Sequence, residues 1–167
     1  MTEWRDAVRE SDRQAVRRLV ATTGFFSAEE QDIAVELVDE ALSHGDASGY
    51  EFIFTDSDEP GDLVGYACFG PIISRPGSYD LYWIAVAPSC QRHGLGRQLM
   101  EEVEARLARR RAAEMFIDTS GRAQYGPTRA FYERMGYVRH ELVPDFYSPG
   151  DDKVVYRKQL TGGSDSD

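Results

Sequence analysis

Gln91-Arg92-His93-Gly94-Leu95-Gly96-Arg97 is the stretch of this 167-residue chain whose residue types and spacing best fit chemistry. Its glycines lie in a turn that ends an apolar run, Leu81–Val86, and opens a segment in which Leu95, Leu99, Val103 and Leu107 recur every fourth residue. A strand that stops, a glycine turn and a helix starting inside it gather unpaired main-chain N–H groups and the positive end of a helix dipole at one point. Such a point binds phosphate. Gly94 and Gly96 lack Cβ atoms, so a diphosphate can approach the backbone, and Arg92, His93 and Arg97 can add charge-assisted hydrogen bonds. The plain alternative is a helix N-terminus that needed flexible residues in order to turn. A P-loop is excluded because no Lys follows either glycine at the required spacing, and a dinucleotide fingerprint because no parallel βαβ unit stands near the start.

The elements that must position this turn can be read outward from it. Leu81-Tyr82-Trp83-Ile84-Ala85-Val86 is apolar on both alternating faces, which predicts a central strand covered on each side, ended by Pro88. Tyr50–Thr55 and Leu63–Phe69 precede it as two further strands, joined by the turn Glu59-Pro60-Gly61-Asp62. A longer link carrying Pro71 and Arg75-Pro76-Gly77 leads into the third run, Tyr79–Val86. Upstream, Ser11 is a cap candidate for a helix over Ser11–Thr22, with Ala15, Val16, Leu19 and Val20 on one face. Ser27-Ala28-Glu29-Glu30 matches a capping box and opens a second helix, which carries Ile33, Ala34, Leu37, Val38, Ala41 and Leu42 and should stop near Gly45 in a left-handed cap. Downstream, Met115–Thr119 is a strand, Pro127 suits the first turn of a helix, and Asp145–Lys153 reads as a turn before a last strand, Val154–Lys158.

Composition bounds the function. With 41% hydrophobic and 29% charged residues the chain is ordinary globular material, and its length predicts a single domain over residues 1–160 with a frayed tail over 161–167. A net charge of -10 argues against nucleic-acid and anionic-membrane partners. No stretch approaches the roughly 18 apolar residues of a membrane span, and no apolar leader follows Met1, so a cytoplasmic protein is expected. Cys68 and Cys90 lack neighbours at ligand spacing; neither a disulfide scaffold nor a metal site is expected. Of the 19 basic residues only Lys153 and Lys158 are lysines.

Trp83-Ile84-Ala85-Val86-Ala87-Pro88-Ser89-Cys90 followed by Gln91–Arg97 resembles the signature of the GNAT superfamily of acyl-CoA-dependent N-acetyltransferases, Gln/Arg-x-x-Gly-x-Gly/Ala between a strand and a long helix. A second block, Thr128-Arg129-Ala130-Phe131-Tyr132-Glu133-Arg134-Met135-Gly136-Tyr137, is similar to that family's later helix and the turn after it. The resemblance runs over roughly Glu3 to Leu160. It implies an α/β (α+β) fold, with a mixed, mostly antiparallel sheet of about seven strands splayed at the central strand and helices on both faces. It departs from the family at Tyr125-Gly126-Pro127, where many relatives carry a cofactor-contacting Asn.

The resemblance implies that acetyl-CoA is the co-substrate and that no metal is needed. Its pantetheine amides would pair with the backbone of Ile84, Ala85 and Val86, and its diphosphate would lie on Gln91, Arg92, His93, Gly94, Leu95, Gly96 and Arg97. Tyr132 matches the family's general acid, and a phenol suits protonation of a thiolate whose pKa is about 8.5. The implied reaction is direct attack of a neutral amine on the thioester. Deprotonating a Lys-like ammonium at pH 7 costs about 4 to 5 kcal/mol, against about 1 kcal/mol for an α-amine, so the acceptor decides whether a base is needed. Asp80 and Asp118 are the candidate bases, with capping or turn carboxylates at a sheet edge as the alternative; Asp118 stands where the family often places an acidic residue. Phe146 and Tyr147, with Asp145, could wall an acceptor pocket, or pack on a nearby core. The expected partner is a small-molecule amine such as an amino acid. A protein amine, or a catalytically silent acyl-CoA-binding module, are the other readings, and dimers are common in the family.

Overall fold

The computed structural model describes residues 2–24 and 26–160. Its chain contacts divide it into two compact units, Met1–Gly70 with Trp83–Val103, and Pro71–Tyr82 with Glu104–Asp167.

In the first unit, α1 (Asp12–Thr23) and α2 (Ala28–His44) precede β1 (Glu51–Asp56) and β2 (Leu63–Pro71). Ser27 caps α2 as its sequence predicts, accepting from Glu30 N at 3.1 Å while the Glu30 carboxylate accepts from Ser27 N at 2.8 Å. Ser11 does not cap α1: its backbone is already helical and its side chain makes no cap bond. The preceding turn serves instead, Asp12 N bonding Arg9 O at 3.0 Å and Arg13 N bonding Glu10 O at 3.3 Å, while the Asp12 carboxylate, buried to 1% exposure, accepts from Arg9 N at 2.7 Å and from the Arg5 guanidinium at 2.8 and 2.9 Å. Gly45 closes α2 at φ 56, ψ -133, a positive φ outside the left-handed helical region expected of it. Val16, Leu19, Val20 and Val38 of the helices pack with Phe52, Phe54, Tyr66 and Cys68 of the strands in one cluster. The opposite face of β2 holds Gly65, where an added Cβ would meet Leu99 at 3.1 Å and Leu95 at 3.2 Å. Helices therefore cover both faces of this part of the sheet.

In the second unit, β4 (Glu114–Ser120), α4 (Gly126–Arg134), β5 (Val138–Ser148) and β6 (Asp151–Gln159) follow α3 (Leu95–Arg109), which with β3 (Ser78–Val86) runs through both units. Met115 and Ile117 of β4 and Val154 and Tyr156 of β6 are buried, as are Leu107, Tyr132 and Tyr137. The strands form one ladder in the order β1-β2-β3-β4-β6-β5. β1–β2, β4–β6 and β6–β5 are antiparallel, whereas β3–β4 is parallel and is connected through α3.

Two expectations are corrected. Among the described residues the sheet has six strands, not about seven. Ahead of α1, among the described residues, Arg5 alone pairs with the sheet, in a bridge to Phe54 with N···O distances of 2.9 and 2.8 Å. The surrounding Glu3–Ala7 lacks the apolar alternation of a strand, and beside that backbone bridge the Arg5 side chain bonds Asp56 and lies 4.5 Å from the Phe54 ring centre. The second correction concerns Asp145–Lys153. β5 continues to Ser148 and β6 begins at Asp151, so the turn is only Pro149-Gly150. Between Val143↔Lys153 and Ser148↔Asp151 the register shifts, and residues 144–147, which face Asp152 alone, bulge from β5. Asp145 makes the bulge possible: it sits at φ 55, accepts from Gly150 N at 2.7 Å and donates its own N–H to Asp152 at 2.9 Å. Residues 161–167 lie outside the described residues.

Candidate functional site

The glycine turn belongs to the first unit, and its shape follows from a short relay of backbone bonds. After Val86, Ala87 N bonds Val64 O at 2.8 Å, which fixes the end of β3 on β2. Pro88–His93 coil into a 3-10 turn, and Gly94 follows at φ 77, ψ 13, a left-handed conformation that a residue without Cβ adopts at no steric cost. The Gln91 amide donates to Val86 O at 3.2 Å and staples the turn to the strand end. α3 then starts at Leu95, and Gln98 N bonds Gly94 O at 3.0 Å, so the N–H groups of Leu95, Gly96 and Arg97 precede the first intrahelical donor.

This is the arrangement an anion needs. Nothing lies within 4 Å of the Cβ position of Gly94. His93, Gly94 and Arg97 are exposed; Arg97 is 72% exposed and paired with Glu101 at 3.1 Å. The side chain of Arg92 lies outside what the structure describes. Leu95, Leu99, Met100 and Val103 are buried, so α3 is held rigidly behind the turn. The β3–β4 ladder runs from Ser78↔Glu114 to Leu81↔Ile117, leaving Ile84, Ala85 and Val86 beyond its last pair.

The second unit holds the ionisable candidates. Asp80 on β3 pairs in register with Phe116 of β4, and Asp118 is two residues beyond Phe116, so the two carboxyl groups share a face of the sheet. Neither strand is an edge, which removes the edge-cap alternative. Burial first, then the neighbouring Asp118 charge, pushes the Asp80 carboxyl up to about 6 against a partial opposition from Lys153. Asp118 is also raised, by burial; Lys153 opposes the rise and Glu141 adds to it. Lys153 Nζ stands 3.9 Å from Asp118 Oδ2.

Tyr132 lies on α4, 6% exposed, with its ring centre 5.9 Å from that of Tyr156 and 6.5 Å from that of Tyr137. Burial, with Tyr156 secondarily, raises its phenol above the usual tyrosine range, so the group keeps its proton at neutral pH. Phe146 and Tyr147 are exposed on the β5 bulge and stacked edge to face at 5.1 Å.

Sequence reasoning missed three participants. Gly65 lets α3 approach β2; an isolated glycine inside an apolar strand was the available signal. Glu114, 4% exposed, accepts from the Ser78 hydroxyl and from Arg157 at 2.6 Å and pairs with Arg75 at 2.8 Å, tying β3, β4 and β6 together; nothing in its local sequence marks it. Lys153 was read as part of a turn. Among the described residues no cluster of metal-ligating side chains exists, and no helix is long and apolar enough to cross a membrane.

Known proteins share this fold. A crystal structure of a GNAT-family chain from Desulfovibrio desulfuricans is 47% identical, with a TM-score of 0.92, covering 96% of this chain and all of that one (100%). An N-acetyltransferase of Bacillus subtilis, YuaI, itself uncharacterised, is 34% identical over 83 residues, which span 48% of this chain and 46% of that protein, about half its length. An aminoglycoside 6'-N-acetyltransferase complexed with coenzyme A shares the fold at 16% identity and a TM-score of 0.74, covering 95% of this chain and 97% of that one. The model of the acetyltransferase (GNAT) family matches residues 13–137, through both glycines of the turn and Tyr132, and the chain belongs to that family.

Proposed function

We propose that this GNAT acetyltransferase moves the acetyl group of acetyl-CoA to a primary amine of a small molecule such as an amino acid, in the cytoplasm, with residues 1–160 acting as one catalytic domain. The left-handed Gly94 at the head of α3 carries the reading, because it leaves open main-chain donors where a phosphate would sit. In this reading the N–H groups of Leu95, Gly96 and Arg97, with the Arg92 and His93 side chains, hold the diphosphate. Arg97 would exchange Glu101 for it. The main chain of Ile84, Ala85 and Val86 pairs with the pantetheine amides. The family match across both units supports a single domain.

The chemistry assigned to this chain's residues is proton management. A carboxyl near 6 is ionised at pH 7 and basic enough to relieve an ammonium of its proton, which suits Asp80 as general base with Asp118 beside it. A phenol that keeps its proton suits Tyr132 as donor to the sulfur as the C–S bond breaks. Two carboxyl groups on one face, in a chain of net charge -10, favour a small cationic acceptor.

A thiol-release assay with acetyl-CoA across amino acids, aminoglycosides, polyamines and N-terminal peptides tests this directly. Turnover of a small amine, cut by about 10²-fold or more in Tyr132→Phe with CoA affinity unchanged, is expected. CoA binding with no turnover on any amine, or a full rate in Tyr132→Phe, would overturn the activity or the acid respectively.

A further inference from the structure

Lys153 is one of only two lysines in the chain, and its surroundings are built. It stands on β6 opposite Ser120 and Val143, two residues before Val155, which pairs with Asp118; Lys153 and Asp118 therefore share a face. Its ammonium lies 4.1 Å from the centre of the Phe146 ring and 3.9 Å from the Asp118 carboxylate. The β5 bulge supplies that ring, and the bulge exists because Asp145 and Asp152 pin it. The side chain is thus held from two sides and aimed at one of the two carboxyl groups.

The other charges around the pair are spoken for. From β5, Glu141 faces Asp118, and His140 stacks edge to face on Phe116 at 5.5 Å. From β6, Arg157 bonds Glu114, and from the β2–β3 link Arg75 does the same while covering the Phe116 ring at 5.4 Å. That leaves Lys153 as the cation in ion-pair contact with Asp118 among the described residues.

We propose that Lys153 is a positioning residue for the proton-transfer step: it holds Asp118 as a fixed carboxylate, so that Asp80 is the carboxyl group that accepts the proton of the acceptor amine. The proposal rests on the N-acetyltransferase reading above. In that step the ammonium gives one proton to the Asp80 carboxylate, leaving a neutral amine and a carboxylic acid. The nitrogen lone pair forms the C–N bond, the C–S bond breaks with its electron pair on sulfur, the sulfur takes the Tyr132 proton, and the second N–H proton restores the phenol. Asp80 then returns its proton to water. Phe146 contributes by ordering the ammonium against a half-exposed carboxylate that would otherwise share it with solvent.

The test is a carboxyl ¹³C NMR titration of the whole chain labelled at aspartate, with Asp80→Asn and Asp118→Asn used for assignment. Asp80 should titrate with a midpoint near 6 in the wild type. Lys153→Met should move that midpoint up by about half a unit or more, and Lys153→Arg should return it to within about 0.2 of the wild type. The acid limb of kcat/KM should follow the same shifts. An unmoved midpoint in Lys153→Met, or Asp118 rather than Asp80 titrating near 6, would overturn the role of Lys153 while a normal wild-type rate left the acetyltransferase reading standing. A wild type inactive on every amine would remove the proton step, whereas the titration would still decide whether Lys153 orders the pair.

Discussion

Replacing Gly94 with alanine should expose the energetics of the phosphate turn. The residue sits at φ 77, ψ 13, and the new methyl would meet nothing within 4 Å, so crowding contributes nothing. What remains is the cost of an L-residue in the left-handed region, about 1–2 kcal/mol. That energy must surface in one of two places. If the turn keeps its shape, the free protein loses it and the melting temperature falls by about 2–8 °C. If the turn relaxes, stability is spared, but CoA must rebuild the turn on binding and its Kd rises about 5- to 30-fold. Scanning calorimetry and CoA titration on the same preparation should therefore return losses that together amount to about 1–2 kcal/mol. Gly94→Asn should lose less, because asparagine enters the left-handed region more readily. Gly65→Ala is the contrast: its φ is ordinary, but its methyl would press on Leu99, Leu95 and the Ala85 carbonyl at 3.1, 3.2 and 3.4 Å. It should displace the start of α3, and a Gly65→Asn change should be worse, not better. A Gly94→Ala protein with unchanged melting temperature and unchanged CoA affinity would refute the reasoning.

Asp80→Asn should abolish the acid limb of the rate profile, which in the wild type falls as pH drops through about 6. Because the native carboxyl holds its proton more tightly than the unfolded one, Asp80 costs stability as pH rises from the ordinary aspartate value toward 6 and above. The same variant should thus melt higher at pH 7.5, by a gain of about 1 kcal/mol after allowance for solvent screening, and lose the gain near pH 4. Glu114→Gln should destabilise by about 1–2 kcal/mol, since the two guanidinium partners are 59% and 33% exposed and partly rehydrate. Burial would raise Glu114, but Ser78, Arg157 and Arg75 outweigh it and hold the carboxylate below its usual range. Its contribution is therefore full at neutral pH and fades as pH falls through that lowered value, so urea titrations of the two proteins should converge in acid. Tyr132→Phe should leave the unfolding free energy from urea titration within about 0.5 kcal/mol of the wild type, since the ring contacts remain.

Local rules account for what the sequence revealed. The glycine turn, the capping box of Ser27 and the turn at Glu59–Asp62 are each fixed by a few adjacent residues whose backbone preferences agree, and each was found where expected. The stripe Leu95, Leu99, Val103, Leu107 is equally local and is buried along its length. What was hidden depends on distant partners. Ser11 is a good cap residue in isolation, yet the turn before it offers the Arg9 and Glu10 carbonyls to the first N–H groups of α1, and that turn is held by the pair of Asp12 with Arg5, which the fold also brings against Asp56. The β5 bulge needs Asp152 to satisfy Asp145, a bond across the hairpin that composition alone reads as loop. Asp80 and Asp118 were singled out individually, but their shared face follows from a parallel register that only strand pairing reveals.

The central claim is that main-chain donors at the start of α3 hold the phosphates of coenzyme A. Calorimetric titration with CoA beside pantetheine, which lacks those phosphates, tests it most directly. CoA should bind at least about 10-fold more tightly, with an advantage that shrinks as salt rises. Equal affinities for the two ligands, or no binding of CoA at all, would contradict it.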